Sequence, residues 1–176
     1  MMQNNPIVII ITGSIGTGKS AAVSILKEMG YKVLDSDKIV HEGYNVGNKL
    51  YYDVSTAFGQ DIINTDGTIN RQKLGQIVFN DEKSLRELNE IVHSSVVEEL
   101  NDGIKNCSDK VVFLDIPLFL EEKNNITKSK INYDEIWLVY VNSELQRKRL
   151  KQRALSENKN PDDVLKIISK QIPIEE

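Results

Sequence analysis

Gly13-Ser14-Ile15-Gly16-Thr17-Gly18-Lys19-Ser20 fits the spacing G-x-x-x-x-G-K-[ST]. Glycines at that spacing let the backbone curl until successive N–H groups converge on phosphate oxygens. A helix starting straight after them adds the partial positive charge of its N-terminus. Lys19 then reaches the outer phosphates of a nucleoside triphosphate, and the Ser20 hydroxyl is placed to ligate Mg²⁺. This chemistry needs a strand before the loop and a helix after it. Ile7-Val8-Ile9-Ile10-Ile11 supplies the first, as a short β-branched run of the kind that buries in a sheet. Ala21 to Met29 supplies the second, with Gly30 as its C′ residue.

Other residues could work beside this loop. Asp35-Ser36-Asp37 follows a second short strand, Lys32 to Asp35. In open α/β sheets the carboxyl ends of strands face the ligand crevice. Adjacent carboxylates there can orient an acceptor hydroxyl, take its proton, or hold Mg²⁺ through water. Asp37 is equally placed to cap the helix beginning at Lys38. Asp115 ends a third strand, Val111 to Asp115, and resembles the acid that holds Mg²⁺ in many P-loop enzymes. Arg147, Lys148, Arg149, Lys151 and Arg153 cluster after a fourth strand, Ile136 to Val141. Arg149 and Arg153 share a helix face, from which guanidinium groups can neutralise charge on a transferred phosphoryl group; the alternative is a solvated basic face. Arg71, after the Asp66-Gly67 turn, is either a phosphate contact of the acceptor or a surface arginine. His93 has no local acid or base partner and reads as a half-buried, satisfied histidine.

The elements that position these groups read as α/β. Near-continuous apolar strands separated by helical segments call for a parallel sheet covered on both faces. Between Asp37 and Asn106 no strand is predicted. Leu50, Val54 and Phe58 recur at helical spacing before Gly59, and Leu85, Leu88, Val92 and Val96 mark a longer helix. Residues 38–106 are therefore expected as a helical insertion, with 1–37 and 107–144 forming the nucleotide-binding core and 145–176 the lid. Ser143-x-x-Gln146 resembles a capping box opening a helix through about Leu155, and Asn160-Pro161 another helix start.

Composition narrows the class. With 176 residues, 40% hydrophobic and 27% charged, the chain is expected to fold as one soluble domain with room for subdomains. A net charge of −4 gives no global pull toward nucleic acid. One cysteine, Cys107, and two histidines, His41 and His93, exclude an internal disulfide and a thiolate- or histidine-rich metal site. No run is long enough to span a bilayer, and the first residues lack a signal-peptide pattern. The expectation is a cytoplasmic protein without membrane or nucleic-acid partners, a monomer or small homo-oligomer.

An ordered set of segments closely resembles the dephospho-CoA kinase family. It comprises Thr12 to Ser20, Asp35-Ser36-Asp37, Phe58-Gly59, Asp66-Gly67-Thr68-Ile69-Asn70-Arg71, Leu88 to His93, Pro117-Leu118-Phe119-Leu120-Glu121, and Arg149-Leu150-Lys151-Gln152-Arg153. The resemblance implies a three-layer P-loop kinase core with a helical acceptor-binding insertion and a lid. It implies transfer of the ATP γ-phosphate, with Mg²⁺, to the ribose 3′-hydroxyl of dephospho-CoA, the final step of coenzyme A biosynthesis. Asp37 would be the base, with Lys19 and Arg149 stabilising the phosphoryl group. ATP would lie on Gly13, Ser14, Ile15, Gly16, Thr17, Gly18, Lys19, Ser20, Arg149 and Arg153. Acceptor contacts would come from Asp37, Arg71, His93 and Leu118, and Mg²⁺ would be held by Ser20, with Asp35 or Asp115 acting through water. Ser14 and Ser94 stand where the family has glycine and proline. The family's last strand and helix have no counterpart after Gln171, which leads us to expect an uncovered sheet edge and bare apolar surface, and either a shortened version of the family or compromised stability and activity. Kinases of other small acceptors, and a nucleotide-binding protein of weak activity, remain as alternatives.

Overall fold

A computed structural model describes residues 5–117, 119–120 and 131–161. Four strands, β1 (Ile7–Thr12), β2 (Lys32–Asp35), β3 (Val111–Asp115) and β4 (Glu135–Leu138), form one parallel sheet in the order β2-β3-β1-β4. The β-branched runs explain why. Every residue of β1 after Ile7 is buried, as are the last four of β3, so both faces of these central strands are covered. β4 stops at Leu138, short of the expected Val141. Beyond it Tyr140 is 65% exposed, and Trp137 and Leu138 on this outer strand are also exposed.

Register carries the functional consequence. Ile11 and Asp35 both pair with Asp115, and Thr12 pairs with Leu138. The carboxyl ends of all four strands therefore meet at one edge. From that edge α1 (Lys19–Glu28) runs back, ending with Gly30 at φ 87°, a left-handed C′ glycine as the sequence predicts.

The stretch expected to be helical is helical. It comprises α2 (Ser36–Gly43), α3 (Lys49–Phe58), a 3₁₀ turn at Gln60–Ile62, α4 (Arg71–Asn80) and α5 (Glu82–Lys105). A single antiparallel bridge, Ile63 to Ile69, closes the Asp66-Gly67 turn. Two apolar clusters result. Leu50, Val54, Ile62, Ile69, Leu74 and Val78 pack among the helices. Val8, Ile10, Val97, Leu100, Val112, Leu114 and Ile116 pack between sheet and helix. The 24-residue α5 serves both, offering Leu88, Ile91 and Val92 to the first cluster and Val96, Val97 and Leu100 to the second. Leu85, expected in that stripe, is exposed, because the stripe begins one turn later. The last described helix, α6 (Ser143–Ser156), is capped by Asn142, whose side chain accepts from the Leu145 N–H. The expected capping box at Ser143 and Gln146 therefore does not form, and Gln146 is free to reach elsewhere.

Leu114 is fully buried in the central strand β3. Leu114→Ala is expected to lower unfolding free energy by about 2–5 kcal/mol, read by urea denaturation.

Candidate functional site

The loop between β1 and α1 is held at both ends and along its length. Thr12, buried at the strand end, donates its hydroxyl to the Pro117 carbonyl at 2.9 Å. Gly16 and Gly18 take φ of 80° and 100°, which side chains rarely adopt. Ser14 is not among the residues with positive φ, so the serine at this point of the loop carries no backbone strain. Gly13 is required for space: a Cβ there would run into the Val139 carbonyl, a backbone atom that cannot step aside. Gly18 precedes α1, and no side chain caps that N-terminus. An uncapped helix start beneath a glycine loop is an anion site in waiting.

Around this loop opens a cavity of about 550 Å³, lined by Gly13 to Gly16, Gly18, Lys19, Ser20, Asp37, Arg149 and Arg153 among others. Lys19 crosses it to form an ion pair with Asp115. Burial pushes the Asp115 carboxyl above its ordinary range, the Lys19 ammonium pulls it back, and the neighbouring Asp35 and Asp37 charges push it further up. The acid is therefore a buried counter-charge to Lys19. From α6, Arg149 donates to the Thr17 carbonyl at 3.2 Å, and Arg153 pairs with Glu157 at 2.7 Å at the cavity's outer wall.

The two carboxylates of Asp35-Ser36-Asp37 divide their labour. Asp35 caps α2, accepting from the Lys38 N–H at 3.0 Å, so the capping role expected for Asp37 falls two residues earlier. Ser36 points inward and donates to the Asp115 carbonyl at 3.0 Å, tying β2 to β3. That leaves Asp37, in the first turn of α2, on the wall of the phosphate-loop cavity. It also lines a second, mostly apolar cavity of about 320 Å³ with Val40, Val92, His93, Val96, Leu100 and Ile116. Asp37 and Pro117 are the residues common to the two linings.

The structure thus gathers Lys19, Ser20, Asp37, Arg149 and Arg153 at one cavity and sets His93 in the next. It does not bring Arg71 to either. Arg71 lies over the Tyr44 ring, 5.0 Å from its centre, and donates to the His41 carbonyl at 3.5 Å. Burial raises the Tyr44 phenol pKa, and the Arg71 charge opposes this. Leu118 falls outside the described residues. Sequence reasoning missed Gln146, which donates to the Ile15 carbonyl at 2.8 Å. The signal was present: Gln146 precedes Arg149 and Leu150 by three and four positions, on the helix face that meets the loop.

A parallel sheet with a glycine-rich phosphate cradle, its lysine on a strand-end acid and arginines approaching from a later helix, defines a P-loop nucleotide-binding fold of the phosphotransferase kind. Residues 7–176 match the family model described as dephospho-CoA kinase. The chain is 38% identical over 166 residues to the dephospho-CoA kinase of Aquifex aeolicus, covering 94% of this chain and 81% of that one. It is also 38% identical over 172 residues to the Carboxydothermus hydrogenoformans dephospho-CoA kinase, covering 96% and 80%. The crystal structure of TT1252 from Thermus thermophilus superposes with a TM-score of 0.73 at 28% identity, covering 97% of this chain and 83% of that one. The chain belongs to the dephospho-CoA kinase family.

Because Asp35 caps α2, Asp35→Ala should cost about 1 kcal/mol of stability while Asp35→Asn retains most of it, as urea melts of the two variants will read.

Proposed function

We propose that this chain transfers the γ-phosphoryl group of ATP to the ribose 3′-hydroxyl of dephospho-CoA, and that Asp37 takes the proton. The observation that carries this reading is the place of Asp37 on the wall shared by the phosphate cavity and the apolar cavity. A phosphoryl acceptor must present its hydroxyl in line with the γ-phosphate, with a base within hydrogen-bond reach. A carboxylate at the junction of the two cavities meets both demands. The acceptor hydroxyl loses its proton to Asp37 as its oxygen bonds to the γ-phosphorus. The bond from that phosphorus to the bridging oxygen breaks, and ADP leaves.

Little covalent work is asked of the protein, so positioning and charge do the rest. Lys19 leaves Asp115 for the phosphates, and Arg149 and Arg153 face the transferred group from α6. The helices α2 to α5 hold the acceptor, with His93 in the apolar wall. Arg71 is then a structural partner of Tyr44 and of the His41 carbonyl.

Mg²⁺ fits the residues present. The phosphate cavity offers the Ser20 hydroxyl and the Asp37 carboxylate, with Asp35 and Asp115 close enough to act on one another electrostatically. These are hard oxygen donors, and Mg²⁺ prefers one or two protein oxygens plus phosphates and water to a full protein cage. Ser20 would hold it, with Asp35 or Asp115 contacting it through water, and when bound it neutralises phosphate charge. With one cysteine in the chain and, among the described residues, no helix long and apolar enough to cross a membrane, a reducing cytoplasm is the setting we propose.

The experiment is ADP release from Mg·ATP with dephospho-CoA, with a nucleoside monophosphate, and with no acceptor. Release should depend on dephospho-CoA and yield coenzyme A; preference for the monophosphate would overturn the acceptor assignment. Asp37→Asn should cut turnover by about 10²–10⁴-fold with ATP binding largely intact. Turnover at the unsubstituted level would remove Asp37 from its role.

Chelation by EDTA should abolish acceptor-dependent ADP release, and added Mg²⁺ should restore it. Release that persists in EDTA would count against the metal.

A further inference from the structure

The phosphate loop is held by its carbonyls. Thr17 Oγ1 donates to the Ser14 carbonyl at 2.9 Å, Gln146 Nε2 to the Ile15 carbonyl at 2.8 Å, and Arg149 Nη1 to the Thr17 carbonyl at 3.2 Å. Among the described residues there is no cis peptide bond. In a planar trans peptide the C=O and the following N–H point in opposite directions. Fixing a carbonyl therefore fixes the next amide: the Ile15 carbonyl sets the Gly16 N–H, and the Thr17 carbonyl sets the Gly18 N–H.

Gly16 and Gly18 are the positions where this matters. Both have positive φ, and glycine resists peptide rotation less than any other residue. Left to itself, the Ile15–Gly16 peptide can turn its carbonyl toward the cavity, where oxygen would face phosphate oxygen. Gln146 prevents this from behind. It is buried, at 9% exposure, and is not part of the cavity lining, whereas Ile15 and Gly16 are. Its neighbour Leu150 presses on Gly16: a Cβ there would stand 2.8 Å from Leu150 Cγ. The loop crest is thus pinned by one hydrogen bond and one apolar contact, both from one face of α6.

We propose that Gln146 is a positioning residue for the triphosphate. Its carboxamide locks the Ile15–Gly16 peptide with the carbonyl turned out of the cavity, so that the Gly16 N–H is presented to phosphate oxygen. The proposal rests on reading that cavity as the ATP phosphate site. An amide donor suits the place. Leucine would fill the space without donating. A glutamate carboxylate would set oxygen against the Ile15 oxygen and favour the flipped peptide, whereas a protonated glutamic acid has an O–H to donate.

The test compares unsubstituted protein, Gln146→Leu and Gln146→Glu as full chains. ATP binding by titration, KM for ATP and for dephospho-CoA, and kcat are measured from about pH 5 to pH 8, where a buried glutamate titrates. Each value is divided by that of the unsubstituted protein at the same pH, which cancels any pH dependence the three proteins share. Gln146→Leu should raise KM for ATP by about three- to tenfold, the loss of one neutral hydrogen bond, with KM for dephospho-CoA little changed. Gln146→Glu should be weaker than Gln146→Leu at the alkaline end and recover as pH falls; a merely space-filling role would not produce that crossing. Equal ATP KM for all three proteins, or a glutamate variant that matches the unsubstituted protein at the alkaline end, would overturn the proposal. If Gln146→Leu does not fold, the pH dependence of Gln146→Glu decides alone. Failure of the unsubstituted protein to bind ATP would remove the phosphate-site reading and the proposal together, whereas ATP binding that ignores both substitutions would remove the proposal only.

Discussion

The register of the parallel sheet is the constraint from which the site follows. Because Asp35 and Ile11 both pair with Asp115, strand ends that are far apart in sequence arrive level with one another. A parallel sheet cannot be closed by tight turns, so a helix or helical stretch must carry the chain back after each strand. The helices α1 and α2, which leave β1 and β2, begin at the same edge. Both begin within a residue or a short loop of the strands, α1 after the glycine loop and α2 directly after Asp35. The start of α1, the Asp35-Ser36-Asp37 carboxylates and Asp115 are thereby brought together from three separate stretches of the chain.

That concentration of charge has to be balanced. Asp115 is held where burial disfavours its ionised form, and two further carboxylates stand within electrostatic reach. Lys19 supplies the compensating charge from the first position of α1. The pairing ties loop to strand when the cavity is empty. It also holds the lysine at the cavity. Arg149 and Arg153 line the same cavity from α6, so an anion entering it meets cations from two elements rather than one.

Much of this was legible in the residues. The phosphate loop, the β-branched strands and the glycine stops at Gly30 and Gly59 are local signals, and local signals survive folding because they describe what a few adjacent residues can do. The placement of Asp37, Lys19 and Arg149 could be read because the loop motif fixes one end of the geometry and strand polarity fixes the other. What could not be read were choices between near-equal partners. Asp35 and Asp37 are both able to cap α2; the extended backbone at Asp35, paired to β3, decides it. Asn142 displaces Ser143 as the cap of α6 for a similar reason, since its backbone is the one left extended after β4. Arg71 illustrates a different limit. Its sequence context suggests a phosphate contact, but it lies over the aromatic face of Tyr44 and lines neither cavity.

Glycines in a phosphate loop are usually described by what they permit, and permission is not selection. Gly16 and Gly18 allow the left-handed turn, but they also allow its alternatives. Selection has to come from contacts that distinguish one peptide orientation from the other, and in this chain those contacts come from Thr17 within the loop and from Gln146, Arg149 and Leu150 on α6. The helix that carries the arginines is therefore also the helix that shapes the cradle. A movement of α6 cannot shift the arginines without acting on the loop amides. Loop geometry and arginine position are in this sense one variable, set by how α6 packs against residues 14–18.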